Sequence, residues 1–182
     1  MFAIYLLALY PEVEETLFQE IRTVCGDELP TMSQHADLVY TTCVLYETMR
    51  LFPLVIALAQ RTPSEQMFQG KYLVPAGTAA ALDMCNTERN PKYWERPNEF
   101  LPERFDGRDN PNGEYVEGKI KFPVKGAFIG FGDGPRACLG IPSQSCSETS
   151  FLLCVASLPQ WKGELTRQEG SLLKWRLLPV WL

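Results

Sequence analysis

"FIGFGDGPRACLG", residues 128–140, gathers Gly130, Gly132, Gly134 and Gly140 around two phenylalanines, Arg136 and Cys138. Glycines let a backbone turn tightly and approach another group closely. An arginine beside them suits an anionic partner. A cysteine held in such a loop is either a small buried hydrophobe or a thiolate with a function. Which of the two Cys138 is depends on what the remainder of the chain supplies.

The chain has 182 residues, 46% of them hydrophobic, enough for one domain with a real core and too apolar for a disordered chain. Its net charge of −5 and sequence pI of about 5.0, with no long basic run, argue against nucleic acid as a partner. Six cysteines stand at 25, 43, 85, 138, 146 and 154, without a CxxC pair and with His35 as the lone histidine. That is a poor zinc set and a poor disulfide framework, and it points to a reducing compartment. His35, in a polar turn, is expected at the surface. The opening "MFAIYLLALY" is too short to span a bilayer and lacks a signal peptide's basic front. It reads as the tail of a longer buried helix, so the chain is expected to begin inside a fold.

Pro11 suits a helix's first turn, and Glu12, Glu14 and Glu15 complement its positive end. Val13, Leu17, Ile21 and Val24 recur at helical spacing until Gly26. A second helix is predicted from about Asp37 to Leu51, closed by Pro53. The short pieces "VIAL", "QMFQ", "KYLVP" and "TAAALDM", separated by Gly70, Pro75 and Gly77, predict a small antiparallel sheet. From Asn90 to Pro123 the chain is rich in Pro, Gly and Asn, and so long an irregular stretch is expected to be functional or pinned. The fold class is therefore mainly α with a small β-sheet, in one partial domain.

On the second helix, "YETMR" sets Glu47 and Arg50 on one face. Alone, such a spacing is most often a solvated ion pair. Here Leu38, Val39, Val44, Leu45, Tyr46, Met49 and Leu51 surround the helix with apolar side chains and suggest burial. A buried pair demands further partners. "LPERF" offers Arg104, and two guanidinium forks can share one carboxylate.

"ETMR", then "PERF", then "FGDGPRACLG" resemble the three ordered signatures of the cytochrome P450 family: its ExxR helix, its PERF segment and its FxxGxxxCxG loop. The last matches at Phe131, Gly134, Cys138 and Gly140. "GKYLVPAGT" and "NPKYWERPNEFLPERF" also resemble the family, fungal members in particular. The resemblance covers about residues 11–140. It implies the C-terminal part of the cytochrome P450 fold, incomplete, and a heme-thiolate monooxygenase. Such an oxidoreductase inserts one oxygen atom from O₂ into a small apolar organic substrate, with electrons from NADPH-cytochrome P450 reductase. The cofactor would be heme b (iron protoporphyrin IX), with Cys138 as its axial thiolate, a ligand that pushes electron density onto iron. By the same resemblance Gly134 and Gly140 shape the backbone around the sulfur, and Phe131 shields it. Arg136 pairs with a propionate, and Arg61 is a second propionate contact. Glu47, Arg50 and Arg104 form a structural network rather than a catalytic one, and the apolar run from Leu54 to Ala59 lines part of the substrate pocket. Localisation by family is the endoplasmic reticulum membrane, on its cytosolic face.

The family's central oxygen-activating helix, most of its substrate-recognition surface and any membrane anchor would precede Met1. Tyr10 stands where the family often has His. The chain alone is accordingly expected to be inactive as a monooxygenase. After Gly140 the resemblance fades over 141–182: Pro142, Ser145 and Glu148 suggest a helix starting near Cys146 instead of beside Cys138. A frame shift, a mis-spliced exon and real divergence each account for that. From other classes come a truncated non-catalytic remnant of a P450 and a small cysteine-based redox protein. The redox protein is disfavoured because Cys138 has no nearby resolving cysteine or histidine.

Overall fold

A computed structural model of the chain describes residues 2–26, 31, 33–57, 60–109, 116–117, 119–132 and 134–139. Among them the helices are α1 (Phe2–Leu9), α2 (Pro11–Cys25), α3 (Val39–Leu51) and α4 (Met84–Glu88). Two antiparallel hairpins accompany them, β1 (Met67–Gln69) with β2 (Tyr72–Val74) and β3 (Val116–Glu117) with β4 (Ile120–Lys121). In the first, Met67 faces Val74 and Gln69 faces Tyr72.

α2 follows its sequence pattern closely. Val13, Leu17, Ile21 and Cys25, each one turn apart, are its buried residues, and Gly26 ends it with φ 66 and its N–H on the Arg22 carbonyl. α1 lays Ala3, Leu6 and Leu7 into the same core. α3 is buried nearly all round, as expected of a helix at the centre rather than the surface. Its Tyr40, Val44, Leu45 and Leu51 join the α1–α2 core, while Val39 and Cys43 face a second core with Trp94, Phe105 and Ala127. Burial pushes the Cys43 thiol up to about 12.

Two boundaries differ from the sequence reading. α3 begins at Val39 rather than Asp37, because His35–Asp37 forms a separate 3₁₀ turn. Leu38 at its start has no capping side chain, and Glu20 of α2 substitutes from outside the helix. One Glu20 oxygen accepts from the Tyr40 N–H at 2.7 Å, and the other from the N–H and hydroxyl of Thr41 at 2.8 and 2.9 Å. The two N–H groups are orphan donors of the first turn, and a carboxylate also opposes the helix's positive end. The other difference is "TAAALDM", which does not run through as a strand. It pairs only at isolated bridges, Ala80 with Arg61 and Asp83 with Ala57. Asp83 then caps α4, accepting from the Asn86 N–H at 3.0 Å, and Met84 becomes helical.

Replacing Glu20 by Ala removes three hydrogen bonds at one helix start. The expected loss is about 1–2 kcal/mol of stability, read as a lower urea midpoint at unchanged slope; an unchanged midpoint would make the contact incidental.

Candidate functional site

Glu47 and Arg50 are both fully buried, and their spacing on α3 brings them into a two-point ion pair. Arg50 Nε donates to Glu47 Oε2 at 2.7 Å, and Nη2 donates to Oε1 at 2.9 Å. Arg104, in the 3₁₀ turn Pro102–Phe105, donates its Nε to the same Oε1 at 3.1 Å, and the Leu101 N–H adds a bond of 3.0 Å. The outer guanidinium nitrogens reach backbone carbonyls. Arg50 takes those of Glu88, Pro97 and Glu99, and Arg104 takes those of Glu95 and Arg96. Both guanidiniums also lie over the Trp94 ring, at 5.1 and 5.8 Å from its centroid. Arg96 holds φ 46, a left-handed conformation that non-glycine residues seldom adopt. The irregular stretch after Asn90 is thus pinned by two arginines from outside and within it.

The cysteine loop rests on the neighbouring side of α3. Phe128 stacks on Tyr46 at 5.0 Å and meets Phe105 edge-on at 5.4 Å. Phe131 reaches Tyr46 at 6.3 Å. A Cβ on Gly130 would stand 2.8 Å from Phe128 Cζ and 3.0 Å from Met49 Cε, so any larger residue there would have to displace the ends of those two side chains. Beyond it, Gly132 and Gly134 take φ 73 and 68, and Gly134–Arg136 forms a 3₁₀ turn. The Cys138 N–H closes the loop on the Phe131 carbonyl at 2.8 Å. Its backbone is held, and its free thiol is exposed.

The structure therefore joins Glu47, Arg50 and Arg104 directly, and Phe131 with Cys138 through one backbone bond. Arg61 lies on a separate segment, exposed, its backbone paired with Ala80 at 2.8 and 2.9 Å. Leu54, Val55 and Ile56 are exposed. The Arg136 side chain, Gly140, Leu58, Ala59, the His35 side chain and the helix expected near Cys146 lie outside the described residues. Among the described residues no three His, Cys, Asp or Glu side chains group as metal ligands.

The sequence reading missed Glu88, which is fully buried. Its Oε1 accepts from the Ile129 N–H of the loop at 3.1 Å. Burial pushes its carboxyl up to about 7, against the opposing pull of that N–H and of Arg50. A lone charged residue in a five-residue helix leaves no periodic signal that could have revealed it.

A family profile described as Cytochrome P450 matches residues 1–143. The chain belongs to the cytochrome P450 family. Among curated relatives, it is 32% identical to "Cytochrome P450 97B1, chloroplastic" of Pisum sativum, over 87% of this chain and 32% of that protein. It is 37% identical to "Ent-kaurene oxidase 2" of Oryza sativa subsp. japonica, over 76% of this chain and 25% of that protein. It is 31% identical to "Cytochrome P450 3A5" of Homo sapiens, over 77% and 26% respectively. The chain thus spans only 25–32% of the length of these relatives.

Removing one member of a buried ion pair leaves the other charge uncompensated, at a cost of about 3–5 kcal/mol. Glu47→Ala and Arg50→Ala are therefore expected to prevent stable folding, and Arg104→Ala, partly exposed, to act in the same direction less severely. Thermal melting checks this; an unchanged melting temperature in Glu47→Ala would overturn it.

Proposed function

We propose that this chain is the heme-binding part of a P450 monooxygenase, with Cys138 as the axial thiolate. The observation that carries the reading is the Cys138 loop: its backbone is fastened to Phe131 and seated on α3, while its thiol stays exposed. That arrangement fits a planar metallated group approaching from outside. The chain offers a sulfur held at a defined position, glycines at positive φ that keep side chains away from it, and the half-buried Phe131 to exclude water.

When bound, heme b supplies the chemistry by which one atom of O₂ enters a small apolar organic substrate, with electrons from a reductase that oxidises NADPH. The residues of this chain bind and orient. Arg136 and Arg61 would neutralise the propionates, and Gly134 and Gly140 would leave room for the backbone around the sulfur. Leu54, Val55 and Ile56 present an apolar surface of the kind an apolar substrate needs. Glu47, Arg50 and Arg104 keep α3 and the irregular segment in register beneath the loop and take no part in proton transfer. We assign the protein to the cytosolic face of the endoplasmic reticulum by family alone. One relative's name places that relative in the chloroplast. Among the described residues no helix is long and apolar enough to cross a membrane.

The test is reconstitution with heme, reduction and exposure to carbon monoxide. The wild-type chain is expected to give the red-shifted Soret band of thiolate ligation, and Cys138→Ser to lose it. A mutant that keeps the band, or a wild type that never shows it, would overturn the assignment.

A further inference from the structure

The cysteine loop has a second fastening besides its aromatic seat on α3. Glu88 ends α4, and its two polar ends face different structures. Its main-chain carbonyl accepts Arg50 Nη1 at 2.8 Å, which places it on the buried ion-pair network. Its side-chain Oε1 accepts the Ile129 N–H at 3.1 Å, within the loop. The residue is fully buried, and Oε2 has no hydrogen-bond partner among the described residues.

We propose that Glu88 is a positioning residue that ties the Phe128–Cys138 loop to the Glu47–Arg50–Arg104 network, and that protonation of its carboxyl governs how firmly the loop is held. The charged groups around it fix the direction. Arg50 of α3 faces it, and behind Arg50 stand Glu47 and Arg104, which with Arg50 leave one net positive charge. The loop from Ala127 to Gly132 contributes no ionisable side chain. At the two ends of its own helix, Arg89 donates to the Leu51 carbonyl and Asp83 is engaged with Asn86. The attraction of Arg50 and the Ile129 N–H is outweighed by burial, so the proton is held more tightly in the closed loop than in water.

The sign follows. When the loop lifts, water reaches Glu88 and its carboxyl titrates near its ordinary value of 4.5, against about 7 when closed. The hold is therefore full below about 4.5, weakens as pH rises, and levels off above about 7. Over that interval the opening equilibrium changes by up to about two orders of magnitude if opening fully exposes the carboxyl.

This rests on the loop reading above only for why the loop's position matters, and heme need not be present to test it. Hydrogen exchange of the Ile129 amide in the 182-residue chain, corrected for intrinsic rate and referred to an α3 amide, gives the readout. Wild-type protection should fall between pH 4.5 and 7. Glu88→Gln, which keeps an acceptor and cannot ionise, should stay protected with no such slope. Glu88→Ala should lose protection at least tenfold at every pH. A wild-type slope retained in Glu88→Gln, or protection unchanged in Glu88→Ala, would overturn the proposal. Should the Ala variant fail to fold, the comparison of Gln with wild type still decides. Loss of the thiolate Soret band in Cys138→Ser bears on the heme assignment and leaves this result standing.

Discussion

One carboxylate, that of Glu47, accepts from four donors: two on Arg50, one on Arg104 and the Leu101 N–H. Taking those charges out of water is unfavourable unless every donor and acceptor is satisfied. The protein meets that condition for Arg50, and in part for Arg104, with backbone, since the outer guanidinium nitrogens collect the carbonyls of Glu88, Pro97 and Glu99 and of Glu95 and Arg96 respectively. A segment with little regular hydrogen bonding of its own is thereby shaped by side chains. Loss of Glu47 would free both arginines and every carbonyl they hold.

α3 is the part that couples this network to the loop. Glu47 and Arg50 face the irregular segment, whereas Tyr46 and Met49, each next to one of them in sequence, face Phe128 and Gly130. Adjacent residues on a helix point about a quarter-turn apart, so a rotation of α3 cannot move one contact without the other. Phe105 closes the circuit. It follows Arg104 directly in the chain and packs on Trp94, Tyr46 and Phe128.

How far this was legible depends on whether the signal is local. α2 repeats an apolar residue each turn and stops at a glycine, so its course was readable within a residue or two. α3 was readable at its end, where Pro53 forbids continuation, and misread at its start, because the cap comes from Glu20 on another helix. α4 was missed: five residues give too few turns to display a period, and Asp83 does its capping from what looked like a strand end. At the site, Glu47, Arg50 and the cysteine loop announce themselves by spacing and composition. Glu88 does not, since its partner Ile129 is remote in sequence and nothing near Glu88 marks it as buried.

The contrast among the cysteines also has a chemical consequence. Cys25 and Cys43 are buried, Cys85 is half-buried and Cys138 is exposed. An alkylating reagent attacks the thiolate and needs a path to it, and Cys43 lacks both in the folded protein. Brief treatment with a maleimide therefore labels Cys138 ahead of those three and leaves the two cores intact. Anything seated on the loop would slow that reaction, which turns the sulfur into its own occupancy gauge.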